Sequence, residues 1–379
     1  MTKPVVVLGS TGSIGAQTLD VAATSDVAVV GLASRNPSSE LLEQARAHRD
    51  ASVAVAGGTT TERDDFRSAL GRPVSFGAEA VVELAATPDS TIVNGIVGAA
   101  GLEATLAALK AGNRVALANK ESLVAGGPVV NRIRGQGELI PVDSEHSALY
   151  QCLLGEPAGS VKRLMLTASG GPFRGKNRDE LVDVTPEQAL AHPTWDMGRR
   201  ISIDSATLFN KGLEVIEAHF LFEIGYDRID VLVHPQSVVH SMVEFVDGSW
   251  KGHLGLADMR IPIQYALTAP NRAPSPVPEF SFVGRQLDFE EPDRESFPAL
   301  DLSFRAGREG GSSPAVLNAA DEVAVEAFLQ GRLGFTGITE VVERTMDLID
   351  WRDLTEFADV VEVDREARSA AASLIAGAC

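Results

Sequence analysis

Apolar and polar positions follow two rhythms along the chain. Val5–Leu8 is an unbroken apolar run, as in a strand buried on both faces, and a helical spacing through Leu19 and Val21 follows it. Between the two lies Gly9-Ser-Thr-Gly12-Ser-Ile-Gly15. Apolar strands recur at 27–32, 53–56 and 91–97, with a helix pattern at 102–110 and a strand at 114–117. This alternation predicts an α/β fold built on a doubly wound parallel sheet. Period-two patterns at 161–166, 229–233, 237–245 and 250–256 predict further strands, joined by turns such as Asp247-Gly248, with an outer strand exposed for pairing across a dimer. A stretch rich in proline and charge runs from Thr268 to Pro314 and reads as a surface connection, ordered by Phe282, Leu287, Phe289 and Phe297 docking into a groove. Helical spacing returns at 316–328, 338–348 and 365–376, a small terminal bundle. The organisation expected is a dinucleotide-binding domain at 1–146, a catalytic α/β domain at 147–267 with a flexible loop near 186–198, a linker at 268–313 and a helical bundle at 314–379.

Composition narrows the partners. The chain has 379 residues, enough for two or three cores, and 44% of them are hydrophobic. No apolar run approaches the ~20 residues of a membrane span. With 33 basic against 52 acidic residues the net charge is −19, which argues against nucleic acid or an anionic membrane as partner. An anionic substrate would therefore need a local basic pocket. Two cysteines, Cys152 and Cys379, cannot build a disulfide framework or a zinc cluster, and MTKPVVVLGS leads straight into a strand, so a cytoplasmic enzyme is expected.

Strand, glycine turn and helix at 5–21 form a phosphate-binding arrangement, since glycines let the backbone approach a pyrophosphate that the helix-start N–H groups then meet. The spacing is GxxGxxG rather than GxGxxG, and a tight turn without ligand also fits it. At the end of the next strand, where an acid would bind ribose hydroxyls, stand Ser34, Arg35 and Asn36. Arginine there favours a 2′-phosphate, so NADP(H) is expected rather than NAD(H). Asn119-Lys120-Glu121-Ser122 follows the strand at 114–117, either at a ligand site or as a solvated helix start.

The central run, 192–222, holds the densest set of polar groups. Ser202, Asp204, Ser205 and Thr207 predict a hydroxyl-rich lead into a helix whose Asn210, Lys211 and Glu214 share one face, with Leu213, Ile216, Phe220 and Leu221 on the buried side. A plain amphipathic helix with a surface Lys211–Glu214 pair fits the spacing too; what weakens that reading is the loop just upstream with His192, Trp195 and Met197, of the kind that closes over a ligand. If extended backbone continues to Glu145, Asp143 and Glu145 point to one side, as a hard cation needs; charge at the start of a following helix at 147–154 explains them comparably well. With Glu214, three carboxylates suit Mg2+ or Mn2+ better than zinc, while His146, His234 and His240 leave a softer metal open. Thr167-Ala-Ser169-Gly170-Gly171 is a second glycine turn, suited to phosphate or to a bend.

Taken in order, GSTGSIG at 9–15, NKES at 119–122, PVDSEHSAL at 141–149, LTASGGPF at 166–173, HPTWDMG at 192–198, ISIDSATLFNKGLEVIEAHFLF at 201–222, HPQSVVHSMVEF at 234–245, DMRIPI at 258–263 and NAADEVAVEAF at 318–328 resemble the 1-deoxy-D-xylulose 5-phosphate reductoisomerase family over essentially the whole chain. The resemblance implies a Rossmann-like first domain, a homodimer, NADPH, and a divalent metal such as Mg2+, Mn2+ or Co2+. It implies NADPH contacts at Thr11, Gly12, Ser13, Ile14, Ser34, Arg35, Asn36, Asn119, Glu121 and Gly198, and metal ligands at Asp143, Glu145 and Glu214. Lys120 and Ser144 would meet the substrate's oxygenated carbons, and Ser169, Ser205, Asn210 and Lys211 its phosphate. His192 and His240 would lie at the substrate, and Trp195 and Met197 in the loop that closes over it. Lys120, His192 and the three carboxylates are the expected catalytic groups. Departures from the family pattern are Ser34 where glycine is frequent, Arg35 where lysine is, Leu256-Ala257 where a more polar pair is usual, and Asp321 for asparagine. A simple NADP-dependent dehydrogenase of a phosphorylated aldehyde, or a non-catalytic NADP-binding homologue, explains the first domain but not three carboxylates beside a phosphate site.

Overall fold

In the computed structural model, which describes residues 2–98, 100–193, 195 and 198–378, the chain divides into two units. The first comprises residues up to 122 together with 130–147 and 258–279. Its seven strands are β1 (Val5–Leu8), β2 (Val29–Ser34), β3 (Ser52–Val55), β4 (Ser75–Phe76), β5 (Thr91–Asn94), β6 (Arg114–Leu117) and β7 (Glu138–Pro141). They lie in the order β4-β3-β2-β1-β5-β6-β7 with every pair parallel. Strand order therefore reverses at β1, and the glycine turn after β1 sits at that switch point, where doubly wound sheets bind ligands. The near-continuous burial of β1 and β5 is what a sheet covered on both faces requires.

The helices of this sheet are α1 (Ser13–Thr24), α2 (Ser39–Ala47), α3 (Thr60–Leu70), α4 (Ala78–Ala85) and α5 (Ala100–Lys110), while the residues of α6 (Glu121–Ile133) and α7 (Ser144–Leu153) are divided between the two units. The strand pattern ends at Pro141 and α7 begins at Ser144, so Asp143 and Glu145 are not on one extended face. The reason is local: the Asp143 carboxylate accepts from the backbone N–H groups of Glu145 (3.1 Å) and His146 (3.4 Å), which starts a helix there.

The second unit comprises 123–129, 148–257 and 280–378. Its sheet, in the order β11-β10-β8-β9, contains β8 (Val161–Ala168), β9 (Ile229–Val233), β10 (Val239–Phe245) and β11 (Trp250–Leu254). Its helices include α8 (Pro186–Leu190), α9 (Arg199–Thr207) and α10 (Phe209–Phe222). Leu164, Leu166, Val215, Ala218, Val231, Val243, Leu300 and Phe304 make one core between sheet and helices. In the first unit α11 (Arg260–Thr268) lies on α1, fastened by Arg260 to Asp20 and Gln264 to Ser25. The second unit ends in α12 (Ala299–Glu309), α13 (Ser313–Leu329), α14 (Phe335–Leu348) and α15 (Phe357–Ala378).

Two expectations change here. The proline-rich connection contains a helix, α12, whose Leu300, Ser303, Phe304 and Gly307 face inward, and α12 packs along α10. Of the four side chains expected to dock, only Phe297 is buried; Phe282, Leu287 and Phe289 are exposed, although Phe289 stacks on His234 with centroids 4.7 Å apart.

Candidate active site

Gly9 has φ +79, and a Cβ there would lie 2.8 Å from Gly95 O; at Gly15 it would lie 2.3 Å from Gly9 O. Both positions admit only glycine, because the turn folds back on itself. Gly12 is the N-cap of α1 and offers no side chain, while Thr11, Gly12 and Ser13 are exposed. The N–H groups of the first turn of α1 are thus presented at the sheet's carboxyl end. Gln44 braces this turn by donating to Ser10 O at 2.9 Å. Beside it, Ser34 Oγ donates to Asn36 O (2.7 Å), shaping the loop that displays Arg35. After β6, the Asn119 amide donates to Gly98 O (3.1 Å) and Glu121 (3.0 Å) and accepts from Ser122 N (2.9 Å). Thr11, Gly12, Ser13, Ile14, Ser34, Arg35, Asn36, Asn119 and Glu121 therefore lie at the carboxyl ends of β1, β2 and β6. Gly198 belongs to the other unit, as the N-cap residue of α9.

At the carboxyl ends of β6 and β7, Lys120 Nζ meets Asp143 Oδ2 at 2.7 Å. The other oxygen of Asp143 caps α7 and meets His146 Nδ1 at 3.0 Å. His146 is wholly buried, so its ring orients the carboxylate. Ser144 Oγ donates to Glu145 at 2.5 Å. Four predicted residues, Lys120, Asp143, Ser144 and Glu145, thus form one polar cluster in the first unit; His146 was read only as a softer-metal candidate, and its place three residues after the cap is the signal for its orienting role.

In the second unit the stretch expected as a lead into the helix, 202–207, is itself helical and belongs to α9, separate from α10. Leu208, buried and at φ +66, ends α9 and starts α10. Ser202, Asp204 and Thr207 are buried within α9, and Ser205 alone of this set is half open. On α10, Asn210 Nδ2 donates to Glu214 Oε1 at 2.6 Å and Lys211 pairs with Glu214 Oε2. Lys211 is 4% and Glu214 1% exposed, so this pair is not a surface pair. The second glycine turn abuts α9: Gly171 has φ +68, and a Cβ there would lie 2.8 Å from Ser205 O. The turn that carries Ser169 thus lies against the backbone of Ser205.

His192 Nδ1 accepts the Trp195 N–H at 2.9 Å, and Nε2 meets Ser169 Oγ at 2.9 Å. A neutral ring accepting at Nδ1 carries its proton on Nε2 and donates it to Ser169. Burial lowers the pKa of His192 and favours that neutral form. Ser169 Oγ also accepts from Gly171 N (3.2 Å), so its own hydrogen is left for a further acceptor. The Trp195 ring stands edge-on to His240, 6.4 Å between centroids. Burial, with His253 adding to it, pushes His240 down to about 4, and His240 donates to Leu256 O at 3.2 Å. Met197 lies outside the described residues. His234 uses both ring nitrogens on backbone, Asp288 O at 2.7 Å and Val238 N at 3.2 Å, and so serves the fold.

Comparison with known proteins agrees along the whole chain. The model of 1-deoxy-D-xylulose 5-phosphate reductoisomerase matches residues 5–127, that of its C-terminal domain 139–222, and a DXP reductoisomerase C-terminal domain 254–370. The 1-deoxy-D-xylulose 5-phosphate reductoisomerase of Nocardia farcinica is 51% identical over 98% of this chain and 94% of its own. That of Desulforamulus reducens is 46% identical over 99% of each. Among solved structures, the enzyme of Zymomonas mobilis in complex with NADPH is similar with a TM-score of 0.92 at 42% identity, covering 99% of both chains. A DOX-P reductoisomerase in complex with NADPH, fosmidomycin and magnesium gives 0.92 at 35% identity over 98% of both.

Proposed function

Because the chain belongs to the 1-deoxy-D-xylulose 5-phosphate reductoisomerase family, we propose that the polar clusters described above are its working site. The protein is an NADPH- and divalent-metal-dependent enzyme that isomerises and reduces 1-deoxy-D-xylulose 5-phosphate to 2-C-methyl-D-erythritol 4-phosphate in the non-mevalonate isoprenoid pathway. One observation supports the site assignment above others. In each unit an acid assigned to the metal is held by a lysine assigned to the substrate, Asp143 by Lys120 and Glu214 by Lys211. Buried and half-buried carboxylates that hold a cationic partner are the hard, ionised oxygen donors that a divalent cation requires. Asp143, Glu145 and Glu214 would hold it, and Thr11 to Ile14, Ser34 to Asn36, Asn119, Glu121 and Gly198 would hold NADPH.

The metal, when bound, polarises the ketone and acidifies the neighbouring hydroxyl, and NADPH supplies hydride. Lys120 and Ser144 orient the oxygenated carbons. Ser169 donates its hydroxyl hydrogen to the substrate phosphate, and Ser205, Asn210 and Lys211 complete that subsite beside His192 and His240. Binding energy at a phosphate remote from the reacting carbons then positions the rest and draws Trp195 and Met197 over it. The edge strand β11, with Trp250 and Leu254 exposed, supports a homodimer formed through this sheet, which sedimentation tests. A cytoplasmic site of action is in keeping with the −19 charge and with the lack, among the described residues, of any helix long and apolar enough to cross a membrane. The activity is tested by following NADPH absorbance with 1-deoxy-D-xylulose 5-phosphate under Mg2+, Mn2+ and EDTA. Loss that requires metal is expected; turnover unaffected by EDTA would overturn the metal assignment.

A further inference from the structure

The carboxyl ends of β2, β3 and β4 meet at one place in the first unit. Gly57, just after β3, donates its N–H to Arg35 O at 2.6 Å, and a Cβ on Gly57 would lie 2.7 Å from Asn36 Oδ1. Glycine at 57 is thus what lets the β3 loop touch the loop that displays Arg35. Arg63, on α3, reaches into this junction: its Nε donates to Gly57 O at 3.0 Å, and its guanidinium carbon stands 5.5 Å from the centroid of Phe76 at the end of β4. Those two contacts hold the guanidinium while leaving its terminal nitrogens for another partner.

The acids nearest in sequence are engaged elsewhere. Glu62 closes the capping box of α3, accepting from Thr59 N (2.7 Å) and Thr59 Oγ1 (2.9 Å), and Asp64 pairs with Arg67 at 3.1 Å. In a chain with 52 acidic residues, neither Arg35 nor Arg63 has a carboxylate within ion-pair distance among the described residues. Two arginines thus meet at one glycine, Arg35 through its backbone carbonyl and Arg63 through its guanidinium.

We propose that Arg63 is a second ligand of the NADPH 2′-phosphate, acting with Arg35, and so a determinant of this enzyme's choice of NADPH over NADH. The inference rests on the reading that Ser34, Arg35 and Asn36 hold the adenosine phosphate. A phosphomonoester carries close to two negative charges at neutral pH, and Arg35 supplies one positive charge. Arg63 supplies the other, from a side chain already fixed by Gly57 and Phe76, so little rotamer freedom is lost on binding.

The test is binding of NADPH, NADH, 2′,5′-ADP and 5′-AMP to the full chain and to Arg63→Gln, by calorimetry, with Tm measured for both. Arg63→Gln should weaken NADPH and 2′,5′-ADP about tenfold, as loss of a charge-assisted hydrogen bond does, and leave NADH and 5′-AMP unchanged. Unchanged NADPH binding, or equal loss for NADPH and NADH, would overturn the proposal. Failure of the underlying reading is distinct: the wild-type chain would then bind 2′,5′-ADP no better than 5′-AMP. A second measurement needs no variant. Phenylglyoxal labelling of the wild-type chain, mapped by mass spectrometry, should spare Arg63 in the presence of 2′,5′-ADP and not of 5′-AMP; equal labelling under both would sink it.

Discussion

The direction of two hydrogen bonds at His192 decides what the ring can do. Neutral His192 accepts from Trp195 N and donates to Ser169 Oγ; a protonated ring must donate from both nitrogens, and the Trp195 contact becomes donor against donor. Burial depresses the pKa of His192 below its usual value, so the neutral form prevails at neutral pH and is lost as pH falls through the lowered pKa. The substrate KM is therefore expected to rise, as pH falls through that lowered pKa, more steeply than kcat falls. His192→Gln, which does not titrate, should raise KM about tenfold at pH 7.5 and flatten that additional acid-side rise. Steady-state kinetics between pH 5.5 and 8 on both proteins check this, and identical KM profiles would refute it. Residues of this kind were legible by type: His192, Ser169, Lys120 and Asp143 were all named from the sequence. Which atom donates to which was not, because tautomer and cap geometry follow from backbone positions that no spacing encodes.

At the level of elements, the seam between α10 and α12 ties the proposed phosphate and metal groups to a segment that reads as a linker. Pro298 and the acidic run before it mask a helix whose inward face becomes apparent only against its partner. Gly212 marks the contact: a Cβ there would lie 2.0 Å from Ser303 Oγ and 2.5 Å from Ser303 Cβ. Gly212→Ala gains helix propensity of roughly 1 kcal/mol but overpacks this seam at a cost of about 1–3 kcal/mol, so the net effect is destabilising. It should lower Tm and, by shifting α10 under Lys211 and Glu214, raise the substrate KM. Adding Ser303→Gly removes the obstructing side chain and should recover much of both; no recovery would show that the seam is not what positions α10. The break at Leu208 was equally hidden, since a buried leucine at positive φ has no sequence mark of the kind that Gly171 provides.

Over the whole chain, the doubly wound sheet was read from the recurrence of strand and helix, and the terminal bundle from its helical period. A charged network in the second unit was not. Arg200, in the first turn of α9, bonds Asn318 (3.0 Å) and Glu322 (2.9 Å) of α13 and reaches Asp321 at 3.4 Å, and Glu322 in turn holds Arg368 of α15 at 2.6 Å. Asp321 is wholly buried, and burial, opposed by Arg200, pushes its carboxyl up to about 6. An acid whose pKa is raised on folding binds its proton more tightly in the native state, so its contribution to stability is present at low pH and declines as pH rises through about 6. Asp321→Asn should accordingly raise Tm by about 2–4 °C at pH 7.5 and by little near pH 4; a gain independent of pH would refute this. The lysines that hold Asp143 and Glu214 have a different consequence. On the proposed assignment each acid is paired with a monovalent charge that would have to yield to a divalent cation, and Lys211, once released, would be left to pair with the substrate phosphate. Metal and substrate then help each other to bind, and reciprocity demands equal factors: substrate should lower the Kd for Mg2+ by the same ratio by which Mg2+ lowers the Kd for substrate. Titrations without NADPH measure both ratios, and Glu214→Gln should bring each of them toward one.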